Sequence, residues 1–406
     1  MFERQIFSSL ETHLTEKEVT VITGMRRTGK TTALRFLLEK TPHENKIYLD
    51  LERPEDRRIF MHQNFSEVQA DLEFKGLDFT QPAVVALDEI QLLPSLAGFV
   101  KYYHDHFPVK FLLSGSSSYY LKNRLTESLA GRKRIFELYP LTFLEFLRFK
   151  GEEETPMLGQ RMAAYRPVVY ARYKPLYEEF IRFGGFPQVV LAETPQKKED
   201  MLKDILHSYL ELDVKILSDY SVIDDLFKLV SLLSARIGSK LDYQKIGITL
   251  GLSRHKVKDY IKLFEATYFL HLVRPFSRSV DREIALQPKI FLADTGLVNQ
   301  FARVDSGALF ENAIAVQLMG IGKVNYYQKK TGQEIDFILN ENLAIEVKET
   351  PVPSDLKLLR ERASGIGMED TMLVGRYPAL GDFTDFIWGG SVFGEAPRGM
   401  EMELVD

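Results

Sequence analysis

The sequence predicts an α/β chain: a parallel sheet covered by helices, then a helical region, a small helix-turn-helix unit and a mixed α/β segment. Three observations carry this. Strand-like and helix-like runs alternate up to about Tyr139, as a parallel sheet with crossover helices requires. A glycine-bounded loop stands between a β-branched run and a helix near the N-terminus. Near the C-terminus, two runs that alternate polar with apolar residues flank Asn340-Glu341-Asn342 and read as a hairpin.

The first strand is Glu18-Val19-Thr20-Val21-Ile22-Thr23, a β-branched run ending at a glycine. Gly24-Met25-Arg26-Arg27-Thr28-Gly29-Lys30-Thr31 follows and satisfies G-x-x-x-x-G-K-[ST], the phosphate-binding loop of P-loop NTPases. The run from Thr32 to Lys40 then has helical composition and an apolar stripe. Glycines let backbone N–H groups turn inward around phosphates, and the helix N-terminus adds its positive dipole end. Gly24, Arg26, Gly29, Lys30, Thr31 and Thr32 are therefore the nucleotide-binding candidates, with Lys30 reaching the β- and γ-phosphates and the Thr31 hydroxyl ligating Mg²⁺.

The next informative strand, Ala83-Val84-Val85-Ala86-Leu87-Asp88-Glu89, is a continuous apolar run closing on two carboxylates, the Walker B pattern of a strand buried on both faces. Asp88 would hold Mg²⁺ through its water shell, and Glu89 would orient and activate the attacking water. A core strand ending in a polar turn is the structural alternative. Val109-Lys110-Phe111-Leu112-Leu113 ends in Ser114-Gly115-Ser116-Ser117-Ser118, where ligands bind in open α/β sheets. Ser114 or Ser116 would contact the γ-phosphate or the water, or cap the next helix, and both roles can hold at once. Among the basic residues that follow, Arg132 is the first candidate for an arginine finger, in cis or from a neighbouring subunit, and Arg124 the second. A solvated basic face is the alternative for each.

Composition bounds the rest. With 406 residues, 45% hydrophobic and 27% charged, the chain is that of a soluble globular protein of two or three domains. A net charge of −5 gives no global case for nucleic acid, so any such contact is local. The absence of cysteine excludes disulfides and cysteine-ligated zinc or iron–sulfur sites. The N-terminal residues lack the apolar core of a signal peptide, and no apolar stretch reaches membrane-spanning length. The expectation is a cytoplasmic protein with no membrane partner; a homo-oligomer is left open.

Four regions are expected: residues 1–140, 141–220, 221–282 and 283–406. In the second, Pro140 opens an amphipathic helix start at 141–147, and Gly184-Gly185-Phe186-Pro187 makes a tight turn between helices. The third resembles a winged helix-turn-helix. Asp242–Leu250 is its first helix, Gly251-Leu252 the turn, Ser253 the N-cap, and Arg254–Phe264 the second helix, with Val257, Tyr260, Ile261 and Phe264 as its buried stripe. Its first turn presents Arg254, His255, Lys256 and Lys258, where a recognition helix meets the major groove. Phe269–Arg274 would be a wing strand, with Arg278 and Arg282 nearby. A packing module with a solvated basic face is the alternative.

In the last region, pairing Leu339 with Leu343 puts Asp336 opposite Glu346 and Glu334 opposite Lys348, all four on one face. Opposed carboxylates are destabilising unless something positive sits between them. A divalent cation would serve, and a one-residue slip would spoil the pairing. This is the D…E-x-K constellation of the PD-(D/E)XK nuclease superfamily, whose members typically add a glutamate from a preceding helix, here Glu311. In that reading Asp336 and Glu346 ligate Mg²⁺ or Mn²⁺, Glu311 assists, and Lys348 stabilises charge on the attacked phosphate. The alternative is an ordinary hairpin with a solvated charged face.

Taken together, the chain resembles a prokaryotic family of AAA-type ATPases with a winged helix and a nuclease-like C-terminal domain of unknown function. The resemblance rests on the phosphate loop, Leu87-Asp88-Glu89, Leu113-Ser114-Gly115-Ser116, Gly131-Arg132, Leu138-Tyr139-Pro140-Leu141-Thr142-Phe143 and Gly184-Gly185-Phe186-Pro187. It continues through Asp294-Thr295-Gly296-Leu297, Gly307-Ala308-Leu309-Phe310-Glu311-Asn312, Glu334-Ile335-Asp336 and Ile345-Glu346-Val347-Lys348. Met25 departs from it, since a proline often follows the first loop glycine. The resemblance implies the domain order (ATPase core, helical lid, winged helix, restriction-endonuclease-like domain) and ATP as the nucleotide. The expected function is ATP hydrolysis coupled to action on DNA. The rival is a nucleotide-driven switch whose nuclease-like domain is a non-cleaving platform.

Overall fold

The computed structural model describes residues 2–62, 64–93, 95–116, 129–152, 164–214, 223–277, 286–329 and 332–392. Ser117, Ser118, Lys122, Arg124, Arg278 and Arg282 lie outside the described residues.

The N-terminal layer is a five-stranded parallel sheet. Its strands are β1 (Val19–Thr23), β2 (Lys46–Asp50), β3 (Ala83–Asp88), β4 (Val109–Gly115) and β5 (Lys133–Glu137), in the order β2-β3-β4-β1-β5. Alternation assigns its two faces. Val19, Val21, Val85, Leu87, Phe111 and Leu113 pack on one side with Val68, Leu72, Phe99 and Tyr103 of helices Phe65–Phe74 and Leu96–His106. Ile22, Val84, Ala86, Leu112 and Phe136 pack on the other with Leu34 and Leu37 of α2 (Lys30–Lys40) and Leu10 of α1 (Phe7–His13). Burial on both faces explains why β3 reads as an apolar run up to Asp88 and β1 as a β-branched one whose threonines are also buried.

A helical region follows. Thr142 caps the helix Phe143–Phe149 in a capping box with Glu145. Pro167–Phe183 ends at Gly184, whose φ of 77° and close approach to Asp294 leave no room for a side chain. Pro187–Leu191 and Pro195–Ser208 come next. The helix-turn-helix pair forms where the spacing places it. Asp242 caps Tyr243–Leu250, Gly251 turns the chain at φ 69°, and Ser253 caps Arg254–Ala266 through the Lys256 N–H. Val257, Tyr260, Ile261 and Phe264 are all buried.

The strand after this pair does not stand apart. β6 (Leu270–Pro275) pairs antiparallel with β7 (Lys289–Leu292) and, at Arg274 and Pro275, parallel with β8 (Val324–Gln328). With β9 (Glu334–Leu339), β10 (Leu343–Lys348), β11 (Asp370–Gly375) and β12 (Ile387–Trp388) they form a mixed sheet of order β12-β11-β10-β9-β8-β6-β7. The helix Ser306–Met319 sets Phe310, Ile314 and Leu318 in one core with Phe337, Ile345 and Val347. Pro353–Ser364 sets Leu359 and Ala363 against Ile338 and Ala344. Among the described residues, no helix is long and apolar enough to cross a membrane.

Candidate functional site

The phosphate loop leaves the carboxyl end of β1, and β4 lies between β1 and β3. The register sets Ser114 beside Ile22 and Leu113 beside Leu87, so loop, Ser114 and Asp88 share one end of the sheet. Lys30 is buried, its Nζ donating to the carbonyls of Gly24 (3.1 Å) and Met25 (3.0 Å). Gly24 has φ 153° and lies so close to the Leu138 carbonyl that a Cβ would collide with it. Thr31 is half-buried and Thr32 exposed in the first turn of α2. Arg26 pairs with Glu52 at 3.3 Å. Asp88 is buried and accepts from the Tyr48 hydroxyl (2.8 Å), the Ser114 hydroxyl and the Glu89 N–H (3.1 Å). A carboxylate has about four lone-pair sites, so these donors fix its orientation and leave acceptor capacity toward the loop. That fits a water-shelled cation between Thr31 and Asp88.

Glu89 has φ 55° and opens a single 3₁₀ turn, Ile90–Leu92. Burial holds its carboxyl above the usual range, against the opposing pull of Lys30, Gln91 and Arg26. A carboxyl whose pKa moves toward neutrality is a better general base near pH 7.

Arg132 is not brought to this end. It precedes β5, beside Glu18 at the amino end of β1, about 17 Å from the loop at 3.3 Å per residue. Its guanidinium bonds Asp105 at 2.7 Å, so its own chain's loop is beyond its reach. Another arginine, missed in the sequence, does arrive. Arg4 is buried and donates to the Thr28 carbonyl (3.0 Å), the Tyr139 carbonyl (2.8 Å) and Glu145 (2.9 Å). The loop also touches the helical region: Arg27 reaches Gln188 at 3.3 Å, and Met25 is buried in the core containing Phe183, Phe186 and Val189. Its apolar side chain thus has a packing role that the motif alone does not show.

On the helix Arg254–Ala266, Arg254, His255 and Lys258 are exposed. Lys256 is instead paired with Asp225 at 3.0 Å and lies over the Tyr260 ring, while His255 bonds Asp259 at 2.9 Å.

The C-terminal hairpin takes the expected register Leu343↔Leu339, Ala344↔Ile338, Ile345↔Phe337, but the pairing ends there. An irregularity in the β8–β9 ladder between Ile338 and Ile335 breaks the expected alternation. Ile335 packs with Ile338 and Ala344 rather than with Phe337 and Leu339, and Asp336 lines a cleft with Phe310, Glu311 and Val347. The cleft, of about 550 Å³, is also lined by Lys348 and Glu349. Glu346 is buried beside Arg362 of Pro353–Ser364, whereas Asp336 lines the cleft. Each carboxylate already has a protein partner. Glu346 pairs with Lys348 (2.7 Å) and Arg362 (3.6 Å), Asp336 accepts from the Val347 N–H (2.9 Å), and Glu311 pairs with the buried Lys289 (3.2 Å). Lys289 also holds Glu334 at 2.5 Å. Burial pushes Glu311 up to about 7 despite Lys289, with Asp336 adding to the rise, and burial with Asp336 raises Glu346.

Among the described residues, no three His, Cys, Asp or Glu side chains gather closely enough to hold a metal ion. Glu311 and Asp336 nevertheless line one cleft, and the Asp336 charge acts on both Glu311 and Glu346. Glu346 Oε2 is buried without a partner among the described residues. Lys289 and Arg362 gave no local signal in the sequence; only the tertiary fold brings them to the hairpin.

Residues 16–147 match the family described as AAA domain. Residues 174–308 and 306–382 match two domains of unknown function (DUF8612 and DUF4143). An uncharacterized protein of Methanocaldococcus jannaschii is 26% identical over 382 residues, covering 90% of this chain and 83% of that protein. One of Haemophilus influenzae is 26% identical over 334 residues, covering 79% of each. Among solved structures, a Walker-type ATPase of Pyrococcus abyssi is 15% identical with a TM-score of 0.46, covering 74% of this chain and 96% of that one. The Aeropyrum pernix ORC1 protein, solved in complex with DNA, is 16% identical with a TM-score of 0.34, covering 77% and 93%. Both structural likenesses are partial and bear on no activity. The loop, the carboxylate-tipped third strand and the family match over residues 16–147 agree that the N-terminal part of this chain is similar to AAA-type P-loop domains.

Proposed function

We propose that the chain binds and hydrolyses ATP at the carboxyl end of its parallel sheet. One observation carries the reading: the phosphate loop, Asp88, Glu89 and Ser114 converge there from β1, β3 and β4. Gly24, Arg26, Gly29, Lys30, Thr31 and Thr32 would receive the phosphates, with Lys30 exchanging its two loop carbonyls for phosphate oxygens. Thr31 and Asp88 would hold Mg²⁺, which supplies charge neutralisation when bound. Glu89 takes a proton from the attacking water. Ser114 orients Asp88, and Arg132 is left a role only at a neighbouring subunit's nucleotide. The test is ATP turnover by wild type beside Lys30→Ala and Glu89→Gln. Wild-type protein that binds ATP and never releases phosphate would sink the reading.

The same proposal includes DNA, through exposed Arg254, His255 and Lys258 with Lys256 beside them, and the cleft at Asp336, Glu346 and Lys348 as a nuclease-like site. In support stands the bare buried oxygen of Glu346. A second reading, the nucleotide-driven switch with a non-cleaving platform, is favoured by the ion pairs that already neutralise the hairpin carboxylates. Incubation with linear, single-stranded and branched DNA, with Mg²⁺ or Mn²⁺ and with or without ATP, separates the two. Cleavage that disappears in Asp336→Asn supports the nuclease. Intact DNA in every lane, with ATP still turned over, supports the switch.

A further inference from the structure

Gln91 is a polar side chain of the ATP site with no part in the chemistry above. It lies within the 3₁₀ turn that Glu89 opens, and that turn folds it back onto Glu89. Its Nε2 donates to Glu89 Oε2 and to Ser116 Oγ, the latter at 3.0 Å. The amide thereby ties the tip of β3 to the tip of β4. Its other atom, Oε1, is buried with no partner among the described residues. A buried acceptor left bare costs about 1–3 kcal/mol, so one in a native site points to a donor supplied by something that binds there.

What binds beside Glu89 in an ATPase is water. We propose that Gln91 Oε1 is the second acceptor for the attacking water, making Gln91 a catalytic residue of ATP hydrolysis. The inference rests on the ATPase reading. One water O–H points to Glu89 and the other to Gln91 Oε1, which turns an oxygen lone pair toward the γ-phosphorus. As the new O–P bond forms, the proton on the Glu89 side passes to its carboxylate. The bond from the γ-phosphorus to the bridging oxygen breaks, and that oxygen keeps the electron pair as ADP departs. Glu89 afterwards returns its proton to solvent. The donated Nε2–H meanwhile holds Glu89 in place, so one amide orients both base and nucleophile. Such two-point orientation is what a near-attack geometry requires.

The experiment measures steady-state ATP hydrolysis against pH, together with nucleotide affinity, for wild type, Gln91→Ala, Gln91→Glu and Glu89→Gln. For Gln91→Ala we expect kcat to fall about 10²-fold, with KM and ATP affinity within about twofold. The acid limb of its pH–rate profile should move to higher pH, because a hydrogen bond to the carboxylate form of Glu89 is gone. Gln91→Glu keeps the length and an acceptor but sets a second carboxylate against Glu89, so its acid limb should lie higher still. This near-isosteric variant also keeps the test alive should the alanine variant fold poorly. A Gln91→Ala kcat within twofold of wild type at every pH overturns the inference and leaves the ATPase reading intact. A raised KM with unchanged kcat assigns Gln91 to packing and also overturns it. Wild type with no more turnover than Glu89→Gln removes the ATPase reading, and the inference with it.

Discussion

Lys30 spends its charge on the carbonyls of Gly24 and Met25, so the loop holds its own lysine where phosphate oxygens would otherwise take it. Removing that ammonium should weaken ATP binding by about tenfold or more, since a charged hydrogen bond contributes about 1.5–3 kcal/mol. Equilibrium titration of Lys30→Ala with a fluorescent nucleotide checks this. Glu89→Gln should behave oppositely, with affinity kept and kcat lowered about 10²–10⁴-fold; phosphate release measured beside binding separates the two. A third residue acts on stability alone. Asp294 is buried and accepts backbone N–H groups from Gly185 (2.7 Å), Gly296 (2.8 Å) and Leu297 (3.3 Å). Asp294→Ala would strand those donors and should cost several kcal/mol, about 1–3 for each, read as a lower urea midpoint. Burial pushes the Asp294 carboxyl up to about 6 despite those N–H groups. Its folded pKa therefore exceeds its unfolded one, so its contribution is greatest below about pH 4 and is lost as pH rises to about 6.

At the scale of elements, what is local in the chain was legible. Strand, glycine loop and helix around Gly24–Thr31 follow from β-branched residues, a sharp turn and a helix start within a few positions of one another. The register of β9 and β10 next to the turn follows from its shortness, and Leu339 does face Leu343, but the irregularity between Ile338 and Ile335 had no local signal. The helix pair at Tyr243–Leu250 and Arg254–Ala266 was marked by Asp242, Gly251 and Ser253. What depends on distant segments was not. Gly184-Gly185 and Asp294 are each visible as motifs, yet nothing in the chain says that Asp294 caps the turn at Gly185 across 109 residues. The charged residues of the hairpin find Lys289 and Arg362 only after folding, so their ion pairs have no signature in the local sequence. The element that begins β6 carries a further consequence. His271 is partly exposed as a residue, but its Nε2 is enclosed without a partner among the described residues. Burial lowers it to about 4, with Glu137 opposing. Its folded pKa lies below its unfolded one, so the stability it lends above about pH 6.5 is lost as pH falls toward 4. His271→Phe should flatten that part of the stability–pH curve, as followed by denaturant unfolding.

At the scale of the molecule, the phosphate loop is a shared element. Met25 is buried in the core of the helical and helix-turn-helix regions, and Arg27 bonds Gln188 beside it. A loop that changes shape around a nucleotide must move that core or break from it. We expect ATP to alter hydrogen exchange in Pro187–Leu191 and Pro195–Ser208, and Met25→Ala to reduce the change while costing about 2–5 kcal/mol of stability. Equal exchange with and without ATP in wild type would show the two regions to be uncoupled.

The larger sheet has a consequence for anyone who recombines such proteins. The family match over the last stretch begins at residue 306, whereas β6 and β7 of the same sheet lie before it. A C-terminal piece excised at that boundary would expose the edge of β8 that β6 covers, an invitation to pair with another copy. It would also leave Glu311 and Glu334 without the lysine that neutralises them. A chimaera joined at residue 306 would inherit its carboxylates from one parent and their counter-charge from the other, so a working exchange must cross over upstream of Lys289.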